Sequence, residues 1–144
     1  MAIVLHEHGE PAKVARCEAV ELPPLGLADT LVEILAAPIN PADLNVIEGK
    51  YPVRPSLPGT PGVEGVGVVR EIGSGVTAVE AGDHVLLPHG LGTWREAAVV
   101  DASKLIVVPH GVDVMAAAML KINPATALRM LRDFVALESG AWIV

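Results

Sequence analysis

Hydrophobic positions recur along the chain in short bursts separated by glycine and proline, which predicts many brief strands and few helices. Residues 3–6 read as one strand and 12–22 as a second, ended by Pro23 and Pro24 because proline cannot donate to a sheet ladder. Residues 30–39, rich in Leu, Val and Ile and broken only by Glu33, predict a third strand. A helix start follows, with Asn40 as the N-cap, Pro41 in the first helical position, Asp43 in the first turn and Gly49 as the stop. Prolines 52, 55, 58 and 61 make residues 50–61 an extended, stiff loop. Further strands are expected at 62–72, 83–87, 93–100 and 105–108, the first leading into a turn at Gly73, Ser74 and Gly75. Asp113 caps an alanine-rich helix to about Lys121, and Asn123-Pro124 starts another, with Ala127, Leu131 and Phe134 on one face and an end at Glu138, Ser139 and Gly140. Residues 141–144 begin an apolar strand. Strands, then helices, then a new strand suggest a β-rich domain and the first step of an α/β domain.

Composition narrows the function classes. With 51% hydrophobic and 19% charged residues, the chain is no candidate for disorder. Seventeen acidic against ten basic residues give a net charge of −7, which lacks the electrostatic footprint of a nucleic-acid binder. No apolar run reaches the roughly 18 residues of a membrane span. The start carries no basic segment followed by an apolar one, so a cytoplasmic location is expected. Cys17 is the lone cysteine, leaving no intramolecular disulfide and no cysteine-rich zinc site. Aromatics make up only 3% of the residues, so aliphatic side chains must fill the core and Tyr51 is the sole phenol for acid chemistry.

Each motif has a plain structural reading beside its chemical one. Gly73 to Ala78 fits G-x-G-x-x-A, but a dinucleotide fingerprint needs a helix next. Val76, Thr77 and Val79 are β-branched and Ala81-Gly82-Asp83 turns the chain again, so a hairpin turn is expected. His6, His8, His84, His89 and His110 include no i, i+4 pair, and no metal site is expected. Tyr51 fits either loop packing or a phenol that donates to a developing oxyanion. Asn40 to Asp43 and Asn123 to Thr126 fit helix starts, while an exposed amide at the second also suits ligand recognition.

Taken in order, Ala37-Pro38-Ile39-Asn40-Pro41-Ala42-Asp43-Leu44-Asn45, Gly49-Lys50-Tyr51-Pro52, Pro61-Gly62-Val63-Glu64-Gly65-Val66-Gly67 and Ala81-Gly82-Asp83-His84-Val85 resemble the medium-chain dehydrogenase/reductase superfamily. Gly90-Leu91-Gly92-Thr93-Trp94-Arg95 and the stretch from Asn123 to Leu131 look most like its zinc-independent 2-enoyl thioester reductases, including the trans-2-enoyl-CoA and enoyl-acyl-carrier-protein enzymes. The resemblance implies a mainly β fold with helices, a GroES-like partly open β-barrel over residues 1–122. Residues 123–144 would then be a linking helix and the first strand of a Rossmann domain. Zinc alcohol dehydrogenases differ here: Ala37 or Ile39 stands near their cysteine ligand, and Gly62-Val63-Glu64 stands for their Gly-His-Glu, so no zinc is implied.

The implied activity is NADPH-dependent reduction of the C=C bond of 2-enoyl thioesters on CoA or acyl carrier protein. The resemblance makes Tyr51 the catalytic residue, places Asn123 and Thr126 at NADPH, and has Asn40, Asn45 and Trp94 shape the substrate cleft. It also implies a homodimer of the full-length enzyme, no nucleic-acid or membrane partner, and an inactive isolated fragment. An NADPH:quinone oxidoreductase and a non-catalytic GroES-like module are the alternatives.

Overall fold

The structure, a computed structural model, describes residues 1–52 and 56–143. Its strands are β1 (Ala2–Val4), β2 (Arg16–Glu18), β3 (Asp29–Ala36), β4 (Val66–Ile72), β5 (His84–Leu86), β6 (Ala97–Asp101) and β7 (Ile106–Val107). The helices are α1 (Pro11–Val14), α2 (Pro41–Ile47), α3 (Val114–Ala118) and α4 (Asn123–Asp133). β1 and β2 pair antiparallel, and the other strands form an antiparallel sheet ordered β6-β3-β4-β5-β7. The architecture is mainly β with helices and open sheet edges, as the resemblance implies.

β3 is an interior strand, between β6 and β4, and its alternate residues suit a half-buried face. Thr30 and Val32 are fully buried, and the Thr30 hydroxyl donates to the Val100 carbonyl at 3.0 Å, so the one polar group on that face is satisfied. Opposite β3, Gly67 allows close approach: a Cβ there would lie 2.6 Å from the Glu33 carbonyl oxygen. The core is aliphatic, as the scarcity of aromatics requires. Val32, Val69, Val79, Val85, Leu87, Ala98, Val100 and Ala102 form one cluster, while α3 places Ala117 and Ala118 against Val66 and Val108 in another. Each fully buried Val or Leu is worth about 1.5–3 kcal/mol. The two tryptophans lie outside the core: Trp94 is half-buried and Trp142 is 95% exposed.

Several expected elements differ. Residues 12–22 do not form one strand. Pro11 sets the first position of the short α1, and β2 spans only the three residues that find partners on the equally short β1. The strands expected from 62 and 93 begin later, at Val66 and Ala97. The segments before them pair with each other: Thr93 N–H donates to the Gly62 carbonyl and Trp94 N–H to the Pro61 carbonyl, both at 3.1 Å. Asn123 is the first helical residue of α4, with Ile122 flanking it, and the helix ends at Asp133 rather than near Glu138. No strand forms at 141–143, where Ala141 N–H turns back to the Glu138 carbonyl at 3.1 Å instead of meeting a ladder. Val144, and residues 53–55 of the proline-rich loop with Pro55, lie outside the described residues. Gly73 to Gly75 form a turn with no helix after it: Gly75 N–H donates to the Leu27 carbonyl at 2.9 Å.

Candidate active site

β3 delivers the chain to Asn40, where α2 begins. The Asp43 carboxylate accepts the Asn40 backbone N–H at 2.8 Å, which satisfies one orphan donor of the helix start. The Asn40 Nδ2 crosses to Glu64 Oε1 at 3.1 Å, the nitrogen facing Glu64 because a carboxylate can only accept. At the other end of α2, Gly49 takes a φ of 71° that few other residues adopt, and the Asn45 carbonyl accepts the N–H groups of Lys50 and Tyr51 at 2.8 and 3.1 Å. Asn45 thus holds the Tyr51 loop through its backbone, while its side chain is exposed.

Tyr51 is 39% exposed and borders a cleft of about 380 Å³, together with Asp43, Thr60, Gly62, His89 and Gly92. Asp43 is buried, and its Oδ1 has no hydrogen-bond partner among the described residues. Burial pushes its carboxyl above the ordinary 3.8. The Asn40, Val63 and Gly62 amides oppose that shift, and the charge of Glu64 adds to it. A carboxyl raised in this way stabilises the fold fully below its unfolded-state pKa and loses that contribution as pH rises through the folded value. Asp43→Asn, which can still accept the Asn40 N–H, is therefore expected to gain stability relative to the parent between pH 4 and pH 7. Urea denaturation of both proteins at the two pH values checks this, and a gap that shrinks with rising pH contradicts it.

Glu64 is 1% exposed and fully engaged. Oε1 accepts from Asn40, Oε2 accepts the Ile122 backbone N–H at 2.9 Å, and its carbonyl accepts the buried Thr93 hydroxyl at 2.7 Å. Lys121 Nζ donates to the Leu87 carbonyl at 2.8 Å; burial lowers its ammonium pKa, and attraction to Glu64 opposes that. Arg95 Nε donates to the Gly92 carbonyl at 2.8 Å, and burial lowers its pKa as well.

The residues singled out from sequence are only partly brought together. Glu64 links Asn40 to Ile122, the residue before Asn123. Asn123 and Thr126 lie exposed in the first turn of α4, away from the residues that border the Tyr51 cleft. Neither side chain makes a hydrogen bond among the described residues, so an amide and a hydroxyl are free for a polar ligand, which fits a nicotinamide cofactor. Trp94 borders a different, apolar cavity of about 580 Å³ with Ile3, Ile34 and Ile39, and its Nε1 donates to the Pro38 carbonyl at 3.1 Å. Sequence reasoning missed Glu64 and the burial of Asp43; the one available signal was a glutamate set between glycines and valines in an otherwise apolar strand entry. Among the described residues, no three His, Cys, Asp or Glu side chains converge as a metal site would require.

The sequence profile of the alcohol dehydrogenase GroES-like domain matches residues 26–110, more than half of the chain. The chain belongs to this family. Among curated relatives, the mitochondrial enoyl-[acyl-carrier-protein] reductase of Bos taurus is 49% identical over 92% of this chain and 36% of its own length. The Homo sapiens protein of the same name is 45% identical over 99% of this chain and 39% of its own length. The chain therefore spans less than two fifths of these relatives. Among solved structures, the Candida tropicalis mitochondrial 2-enoyl thioester reductase Etr1p/Etr2p superposes with a TM-score of 0.88 at 31% identity, covering 95% of this chain and 44% of that one. Etr1p with NADP and crotonyl-CoA matches equally well. Escherichia coli quinone oxidoreductase with NADPH gives a TM-score of 0.79 at 30% identity over 92% of this chain and 40% of that one. The mitochondrial relatives overturn the expected cytoplasmic location. Organelle addresses reside in leader segments separate from the fold, so domain residues carry no such signal.

Proposed function

We propose that this chain is the catalytic-domain portion of an NADPH-dependent, zinc-independent reductase of the C=C bond of 2-enoyl thioesters. The observation that carries the reading is Tyr51, a phenol on a loop held by two backbone hydrogen bonds to Asn45 and bordering a cleft. The likeness to enoyl thioester reductases supports it. So do Ala37, Ile39 and Val63, which offer no metal-ligating atom where zinc dehydrogenases have ligands. In this reading residues 1–122 form the catalytic part, residues 123–144 lead into a dinucleotide domain, and the complete enzyme is a homodimer.

NADPH, when bound, supplies the hydride that reaches the β-carbon of the substrate. Negative charge then builds on the thioester oxygen as the double-bond electrons move, and a proton completes the α-carbon. Tyr51 donates a hydrogen bond or a proton to that enolate, the stabilisation a Lewis acid would otherwise provide. Asn123 and Thr126 would hold the cofactor through their free amide and hydroxyl. Asn45 holds the Tyr51 loop through its backbone, Asn40 joins the start of α2 to Glu64, and Trp94 borders the separate apolar cavity.

The match to quinone oxidoreductases favours one rival reading. Side-by-side assays of the complete enzyme with crotonyl-CoA and a small quinone separate the two. NADPH oxidation is expected to be faster with crotonyl-CoA, and preference for the quinone overturns the proposal.

A further inference from the structure

Glu64 has no role in the reaction just described, yet it is the most heavily engaged carboxylate beside the site. Each of its two oxygens receives a donor from a different element: Asn40 Nδ2, from the link between β3 and α2, at 3.1 Å, and the Ile122 backbone N–H, from the link between α3 and α4, at 2.9 Å. Its own backbone is pinned by the Thr93 hydroxyl at 2.7 Å. Buried polar oxygens need such donors, and hydrogen bonds to a carboxylate are stronger than neutral ones. The Ile122 bond ties the link that leads into α4 to the buried Glu64, and the next Cα, that of Asn123, lies one peptide unit away.

We propose that Glu64 is a positioning residue that fixes the start of α4, and with it Asn123, relative to Asn40 at the start of α2. Through that contact it sets the affinity for the nicotinamide cofactor rather than the chemical step. The inference rests on the function proposed above only in assigning Asn123 to NADPH. Glutamine at this position can accept the Ile122 N–H through its carbonyl and donate to Asn40 once the Asn40 amide turns over, whereas leucine can do neither.

The test uses the complete enzyme with Glu64→Leu and Glu64→Gln. It reads hydrogen exchange at the Ile122 amide, NADPH affinity by nucleotide fluorescence, and kcat at saturating NADPH. In Glu64→Leu the Ile122 amide should lose protection and NADPH affinity should fall about tenfold or more, with kcat changed far less. Glu64→Gln should restore affinity to within about threefold of the parent. Should the leucine variant fail to fold, Glu64→Asp, one methylene too short to reach both donors, is expected to show the same loss. Unchanged NADPH affinity in the leucine or aspartate variant overturns the proposal, as does equal impairment of leucine and glutamine variants. If the parent binds NADPH but reduces no enoyl thioester, the proposed substrate is wrong, while the affinity comparison still decides the role of Glu64.

Discussion

Tyr51→Phe in the complete enzyme is expected to lower enoyl-CoA turnover by about 10²–10³-fold while NADPH affinity stays unchanged. The substitution removes one hydroxyl and nothing else. The loop that carries the ring is held by the Lys50 and Tyr51 backbone N–H groups on the Asn45 carbonyl, neither of which involves the phenol. The ring is also 39% exposed, so losing its oxygen leaves no buried partner stranded. Stability should therefore stay within about 0.5 kcal/mol of the parent, as for other exposed changes. A loss confined to kcat is the signature of a group that acts on charge formed in the transition state. Steady-state kinetics with crotonyl-CoA, paired with NADPH titration, gives both quantities, and turnover equal to the parent would remove Tyr51 from the mechanism.

The second large effect concerns stability. Gly62→Ala is expected to destabilise the fold by about 2–5 kcal/mol, combining backbone strain and overpacking. Gly62 has a φ of 107°, a region L side chains rarely adopt, and an added Cβ would lie 2.7 Å from both the Thr93 nitrogen and Trp94 Cδ1. Those neighbours cannot simply yield, because Thr93 donates to the Gly62 carbonyl and its hydroxyl is committed to Glu64. Urea denaturation of the parent and variant chains measures the loss; a value below about 1 kcal/mol would show that the 62 and 93 segments can separate without cost.

The same pair of segments shows where the sequence was legible and where it was not. β3 and β4 could be read because β-branched and aliphatic residues crowd into runs that only a sheet buries efficiently. The start of α2 was equally plain, since Asn40, Pro41 and Asp43 act within one turn of each other. Glu64 was not legible as a hub, because its side-chain partners lie 24 and 58 residues away and long-range pairing leaves no local signature. The strand expected over 12–22 failed for a related reason: its composition suited a strand, but β1 offers it only three partners. Asp43 was correctly read as a first-turn acid. Its burial raises its pKa, and the Val63 and Gly62 amides that oppose the shift are brought to it by the fold and not by the local chain.

The indoles of this protein sit in opposite surroundings. Trp142 is 95% exposed and emits as a fluorophore in water, largely indifferent to events in the interior. Trp94, tethered to the Pro38 carbonyl and facing the apolar cavity of about 580 Å³, is sensitive to whatever displaces water there. With one phenol and one phenylalanine elsewhere, the ultraviolet spectrum is nearly a two-component signal with its own internal reference. A blue shift without label or mutation therefore reports the filling of that cavity or the covering of Trp142, and a quencher in water that reaches only the exposed indole tells the two apart.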